Sequence, residues 1–181
     1  MRAFDVPLGR ENSYYFALTQ GPVRFVCLDC GEDAEKRLDV FQPYREEELK
    51  WIKQEVASDG FKQATYRVLV MHIPLYNENA DISPPCHRLW SPTLDKAGFD
   101  LCIAGHDHTP RLLPPDTGSA DRSRGNPYPV LIGGGPAMTG REAGTVIVLE
   151  ANREELQART VSVNGKTLFE YRTPRRSVEN R

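Results

Sequence analysis

The sequence predicts an α/β fold organised on a mixed sheet. Three observations carry that expectation. Apolar runs of strand length recur at Val23 to Asp29, Tyr66 to Met71 and Phe99 to Ala104. Between the first two lies a helical pattern, with Leu49, Ile52 and Val56 at i, i+3 and i+7. The end of the chain alternates apolar and polar residues around Asn164-Gly165, which is a hairpin signal. A strand, helix, strand succession followed by a hairpin implies parallel strands with antiparallel additions.

Ser13 to Thr19 is aromatic-rich, and Gln20-Gly21-Pro22 reads as a turn into the strand Val23 to Asp29, so the two segments are expected to form a hairpin. The run Phe25-Val26-Cys27-Leu28 implies cover on both faces. Asp29 is the first charge after that run, either a turn cap or a member of a site at a strand end. Gly31 to Pro43 reads as a charged loop and Tyr44 to Ser58 as a helix, with Glu46 and Lys50 paired at i,i+4 and Asp59-Gly60 stopping it. The stretch from His72 through Asp81 to His87 reads as a long loop on the rim of a cleft, with Asp81 and His87 as surface polar residues or, less favoured, groups that reach a ligand. Ser91-Pro92 reads as the start of a short helix that Gly98 ends. Thr109 to Pro127 shows no convincing element. Pro129 to Ile132 and Gly144 to Glu150 are short strands. The run Gly133-Gly134-Gly135 between them is a close passage of chain segments or, less favoured, a set of amides for an anion.

Size and charge exclude several classes. With 181 residues the chain supports one substantial core. Its net charge of -2 gives no broad attraction to nucleic acid or anionic membrane. Arg172, Arg175, Arg176 and Arg181 read as a solvated basic tail. No apolar run approaches the ~20 residues of a membrane-spanning helix. Met1 to Asp5 lacks the apolar region of a signal peptide, and localisation stays open. Of the four cysteines, Cys27 and Cys102 read as core residues, and Cys27-x-x-Cys30 lacks the context of a redox or zinc motif.

The chemistry concentrates in the histidines. His72 follows the run ending at Met71, and Gly105-His106-Asp107-His108 follows Leu101 to Ala104. Histidines at strand ends can converge on one sheet edge, and neutral imidazoles suit zinc, iron or manganese. The alternative is that they cap loop carbonyls. Asp107 should point away if its two neighbours point inward. A two-metal hydrolytic centre, with ions ~3.5–4 Å apart, also needs a bridging anion. Asp29, Glu78, Asp81 and Asp107 fit no bridging pattern.

These residues in this order resemble the C-terminal half of a calcineurin-like metallophosphoesterase, the broad family that includes the purple acid phosphatases. His72-Ile73-Pro74 after a strand is similar to the family's isolated-histidine motif, and Gly105-His106-Asp107-His108 to its Gly-His-x-His motif. Glu48-Leu49-Lys50-Trp51-Ile52 resembles the helix before that isolated histidine, and Ile132-Gly133-Gly134-Gly135 its closing sheet. The resemblance implies that His72 and His106 ligate one metal and His108 another. It also implies an α/β fold that is the C-terminal half of a four-layer α/β/β/α metallophosphoesterase sandwich, with a mixed sheet.

The family's Asp-x-His, Gly-Asp and Gly-Asn-His motifs find no counterpart by inspection. The expectation is therefore an N-terminal extension over residues 1–12, a partial metallophosphoesterase domain over 13–172 and a basic tail over 173–181. Such a half-domain would leave one sheet face bare, so a homo-oligomer or a partner chain supplying the missing half is expected. The functional expectation is a phosphoric ester hydrolase domain using Zn, Mn or Fe, incomplete in this chain, which would hold one ion or none. The complete parent would act on a phosphate ester. The alternatives are a non-catalytic metal-binding or assembly module of the same origin, and an unrelated metal-binding α/β protein.

Overall fold

Gly21 sets the first tertiary contact. Its φ of 56° suits glycine at the first central position of a type II′ turn, with Pro22 second. The turn folds β1 (Phe16–Gln20) back on β2 (Val23–Leu28), with Gln20 opposite Val23. The computed structural model describes residues 14–31, 38–77, 84–116, 125–135 and 144–176. Within these, β2 continues into a parallel array with β3 (Tyr66–Met71), β4 (Leu101–Ala104) and β6 (Val130–Ile132). β5 (Arg111–Leu113) closes the far edge antiparallel to β6, giving the order β1-β2-β3-β4-β6-β5. A second sheet holds β7 (Thr145–Ala151), β8 (Glu155–Ser162) and β9 (Thr167–Pro174) as an antiparallel meander. Gly165, at φ 78°, turns β8 into β9 as the Asn-Gly signal implies.

Side-chain alternation divides the six-stranded sheet into two faces. Val26 and Leu28, Leu69 and Met71, Cys102 and Ala104, and Val130 and Ile132 face one core. There they meet Ile52, Leu49, Trp51 and Val56 of α1 (Leu38–Ala57), Phe61 of the short α2 (Asp59–Lys62), and Cys86, Trp90 and Leu94 of α3 (Pro84–Ala97). Val23, Tyr66, Val68, Leu101 and Leu131 face the other way, onto Leu156 and Ala158 of β8, with Ile147, Leu149, Phe169 and Tyr171 beside them. Each fully buried aliphatic side chain of this kind stabilises by roughly 1.5–3 kcal/mol. The layers run helices, six-stranded sheet, three-stranded sheet.

This arrangement corrects several expectations. Among the described residues the inner face of the six-stranded sheet is not bare, because β7 to β9 pack on it. The helix expected from Tyr44 begins at Leu38 and runs through Pro43. The helix expected from Ser91-Pro92 begins at Pro84, with Ser91 buried inside it. Cys86, Trp90 and Leu94 recur every four residues and bury one stripe, and that burial outweighs the hydrogen bond lost at Pro92. Thr109 to Pro127 is not without an element, since it carries β5. Residues 1–12, the expected extension, lie outside the described residues, as do Glu78, Asp81 and Arg181. Arg176 is only partly exposed and donates through Nε to Asp100 Oδ1 at 2.8 Å. Among the described residues no helix is long and apolar enough to cross a membrane.

Candidate metal centre

The four parallel strands end on one edge, and Asp29, His72, Gly105 and Gly133 are the residues that follow them. In such sheets the carboxyl edge is where ligands bind. His72 leaves β3 exposed, while Ile73, Leu75 and Tyr76 beyond it are each 2% exposed and anchor the segment in the core. Gly105 N donates to the His72 carbonyl at 3.0 Å and joins the two strand ends. A Cβ on Gly105 would lie 3.5 Å from His72 Nδ1, an ordinary contact, so the imidazole lies against the chain there without requiring glycine.

The chain then turns sharply. Asp107 N donates to Gly105 O at 2.9 Å around His106, whose φ is 73°. This is a γ-turn of the positive-φ kind, which is rare and strained. His108 is also left-handed, at φ 54°. Strain of this sort costs about 1–3 kcal/mol per residue and clusters at functional sites. It sets the His106 ring edge-on to His72, with centroids 5.4 Å apart and planes at 88°.

Asp107 is engaged by Asn77 and Arg111. Its Oδ2 accepts from Asn77 Nδ2 at 2.6 Å and lies 3.8 Å from Arg111 Nη2, while Arg111 Nη1 donates to Asn77 Oδ1 at 3.0 Å. Asn77, Asp107 and Arg111 thus tie the segment after β3, the histidine loop and β5 together. His108 packs on Gly135, where a Cβ would fall 2.2 Å from His108 Cγ. The other glycine amides are occupied, Gly133 N by Ala104 O at 2.8 Å and Gly134 N by Thr145 Oγ1 at 2.7 Å. The run is therefore a close passage of segments rather than an anion cradle.

Asp29 is a turn cap. Its Oδ1 accepts from Gly31 N at 3.0 Å and its Oδ2 from Tyr44 OH at 3.3 Å. Its own N–H donates to Glu48 Oε1 at 2.9 Å. Glu48 is fully buried, and burial pushes its carboxyl up to about 9, so it is protonated near neutral pH. His87 is half-buried rather than a fully exposed surface residue. Its ring lies edge-on to Tyr76 at 5.2 Å, and burial lowers its basicity.

The fit to a metal is partial. His72 and His106 present adjoining imidazoles of the right chemistry. Among the described residues, however, no group of three or more His, Cys, Asp or Glu is arranged to hold an ion. Sequence reading found the histidines by their place at strand ends. It missed the supporting roles of Asn77, Arg111 and Gly135, because each works through a partner distant in sequence.

Comparison with solved structures finds the same fold. The chain is similar to purple acid phosphatase PPD1 from yellow lupin (Lupinus luteus) seeds, with a TM-score of 0.63, 15% identity, and 95% of this chain and 34% of that chain covered. It is similar to GAP50, the anchor in the inner membrane complex of Plasmodium, with a TM-score of 0.57, 16% identity, and coverage of 91% and 54%. It is also similar to PhoD, with a TM-score of 0.58, 10% identity, and coverage of 97% and 44%. At these identities the likeness is one of fold, and the chain spans only about a third to a half of their lengths. No curated protein matches the sequence.

The calcineurin-like phosphoesterase family model matches residues 4–110, a span that contains His72, His106 and His108. The match overturns the assignment to a C-terminal half, because the domain maps to the N-terminal region of this chain. It also removes the ground on which the chain was expected to lack the domain's N-terminal part. Short motifs sought by inspection are a narrower signal than a pattern weighed along the whole stretch. With more than half of its 181 residues matched, this chain belongs to the calcineurin-like phosphoesterase family.

Proposed function

We propose that this chain is a metal-dependent phosphoric ester hydrolase domain, with His72 and His106 sharing one transition-metal ion and His108 serving a second. The observation that carries the proposal is the edge-on pair of His72 and His106 at the carboxyl edge of the sheet, 5.4 Å between centroids. Imidazole donors fit zinc, manganese or iron, provided each ring is neutral. When bound, such ions supply Lewis acidity toward a phosphoryl oxygen and toward the attacking water. The chain's own residues supply position. The γ-turn aims His106, the Asn77–Asp107–Arg111 bonds hold that turn, and Gly135 leaves room for His108. The substrate and any partner chain belong to the same proposal.

A second reading is a non-catalytic binding or assembly module on this fold. It is favoured by the lack of a three-donor group among the described residues. One of the similar structures is itself described as an anchor. Hydrolysis of p-nitrophenyl phosphate with added manganese, zinc or iron separates the two. Metal-dependent turnover that His106→Ala lowers by about 100-fold or more supports the hydrolase. No metal-dependent turnover, with no metal retained on purification, leaves the module.

A further inference from the structure

A thiol pair lies beneath the candidate centre, on the helical side of the sheet. Cys30, just past β2, and Cys86, in the first turn of α3, are 2% and 0% exposed. Cys30 Sγ donates to Ile73 O at 3.4 Å, and Cys86 Sγ donates to Cys30 O at 3.6 Å. The two thiols are also close enough to hydrogen-bond each other. The other two cysteines are too far apart to pair with each other. Cys27 lies on β2 and Cys102 on β4, with β3 between them, which sets them about 9–10 Å apart. That exceeds the reach of a disulfide.

The backbone of Cys30 is held from several sides. Arg45 Nε and Nη2 donate to its carbonyl at 3.0 and 2.8 Å. Asp29 before it is bonded to Glu48, and Gly31 after it is left-handed, at φ 65°, against the Phe41 ring. Cys86 is fixed by the helix whose Trp90 Nε1 donates to Arg45 O at 3.1 Å. Two sulfurs are thus brought together by two rigid elements distant in sequence. Joining them removes only two weak S–H donors, and the Cys30 carbonyl keeps its bonds to Arg45.

We propose that Cys30 and Cys86 form a disulfide that fastens the first turn of α3 to the end of β2. One cysteine thiolate attacks a small-molecule disulfide such as glutathione disulfide, forming a mixed disulfide and releasing one glutathione. The second thiolate attacks the protein sulfur of that bond and releases the other glutathione. Two protein thiols are oxidised and one glutathione disulfide is reduced to two thiols. The hydrogen bond with Cys86, and after it burial, raises the pKa of Cys30 and slows exchange in the folded chain, so the bond forms during folding. The closed loop carries α1, α2, β3 and His72.

The test is refolding of the whole chain in a glutathione and glutathione disulfide buffer, and in parallel in excess dithiothreitol. Free thiols are then alkylated in denaturant and counted by intact mass. The glutathione sample should lose two of its four thiols, and peptide mapping should join Cys30 to Cys86. Its melting temperature should exceed that of the reduced sample by about 5–10 °C. Cys27→Ser keeps the pair and should lose two of its three thiols. Four alkylated thiols in both samples, or a bond that includes Cys27 or Cys102, would overturn the proposal.

Discussion

Asn77 and Asp107 are joined at 2.6 Å, a bond that ties the segment leaving β3 to the loop leaving β4. It carries no chemistry of its own. Its consequence is that His72 and His106 are held by one frame, since Asn77 follows the first and Asp107 follows the second. Outer partners of metal-ligating histidines typically contribute 10–100-fold in affinity. Asp107→Ala is therefore expected to weaken zinc or manganese binding by about 10–100-fold, measured by calorimetric titration. Asp107→Asn, which keeps an acceptor for Asn77, should recover most of that loss. Equal affinity in all three proteins would show that the frame does not govern the histidines.

Gly135→Ala addresses the third histidine. The added methyl would sit 2.2 Å from His108 Cγ and within 2.6 Å of its Cβ, so rotating the ring tip does not relieve the clash. His108 or the glycine run must move. The expected cost is about 1–3 kcal/mol in denaturant unfolding, together with a shifted His108 ring resonance. Unchanged stability and an unchanged resonance would mean that the two segments part freely.

His108 also tests whether function holds a strained backbone. The residue is exposed, and its φ of 54° suits glycine better than any side chain. Alanine is ordinarily more stable than glycine, because it leaves the unfolded chain less entropy to lose. Here the order should reverse, with His108→Gly more stable than His108→Ala by about 1 kcal/mol. Both should bind metal more weakly than the parent protein. Alanine equal to or better than glycine would show that the turn is not strained in solution.

Much of the fold was legible because the sheet alternates cleanly between two cores. Val68 and Leu69, or Leu101 and Cys102, face opposite layers, and such runs read as covered strands. The Gly21-Pro22 and Asn164-Gly165 turns were legible because Gly21 and Gly165 take the positive φ that glycine favours. The helix boundaries were not. Pro43 and Pro92 read as places where a helix starts, and packing of Ile52, Trp90 and Leu94 carries each helix back through them. The strand-end histidines could be found by position alone, whereas Arg111 and Gly135 matter only through Asn77, Asp107 and His108. The N-terminal share of the domain was missed because no short motif announced it.

Glu48 makes the stability of the chain depend on pH in a direction opposite to most carboxylates. Burial raises its pKa from 4.5 to about 9 in the folded protein. Between those values the folded chain holds a proton that the unfolded chain has lost, so stability falls as pH rises. The contribution is fully present below the unfolded value and disappears as pH passes through about 9. Glu48→Gln cannot ionise and can still accept from Asp29 N. It should flatten the decline and be more stable than the parent at pH ~8 by about 1–3 kcal/mol, while near pH ~5 the two should be close. The measurement is urea unfolding across that range. A parent protein whose stability rises toward pH ~8, or a glutamine variant with the same slope, would show that Glu48 is ionised in the fold, with Arg45 beside it as counter-charge.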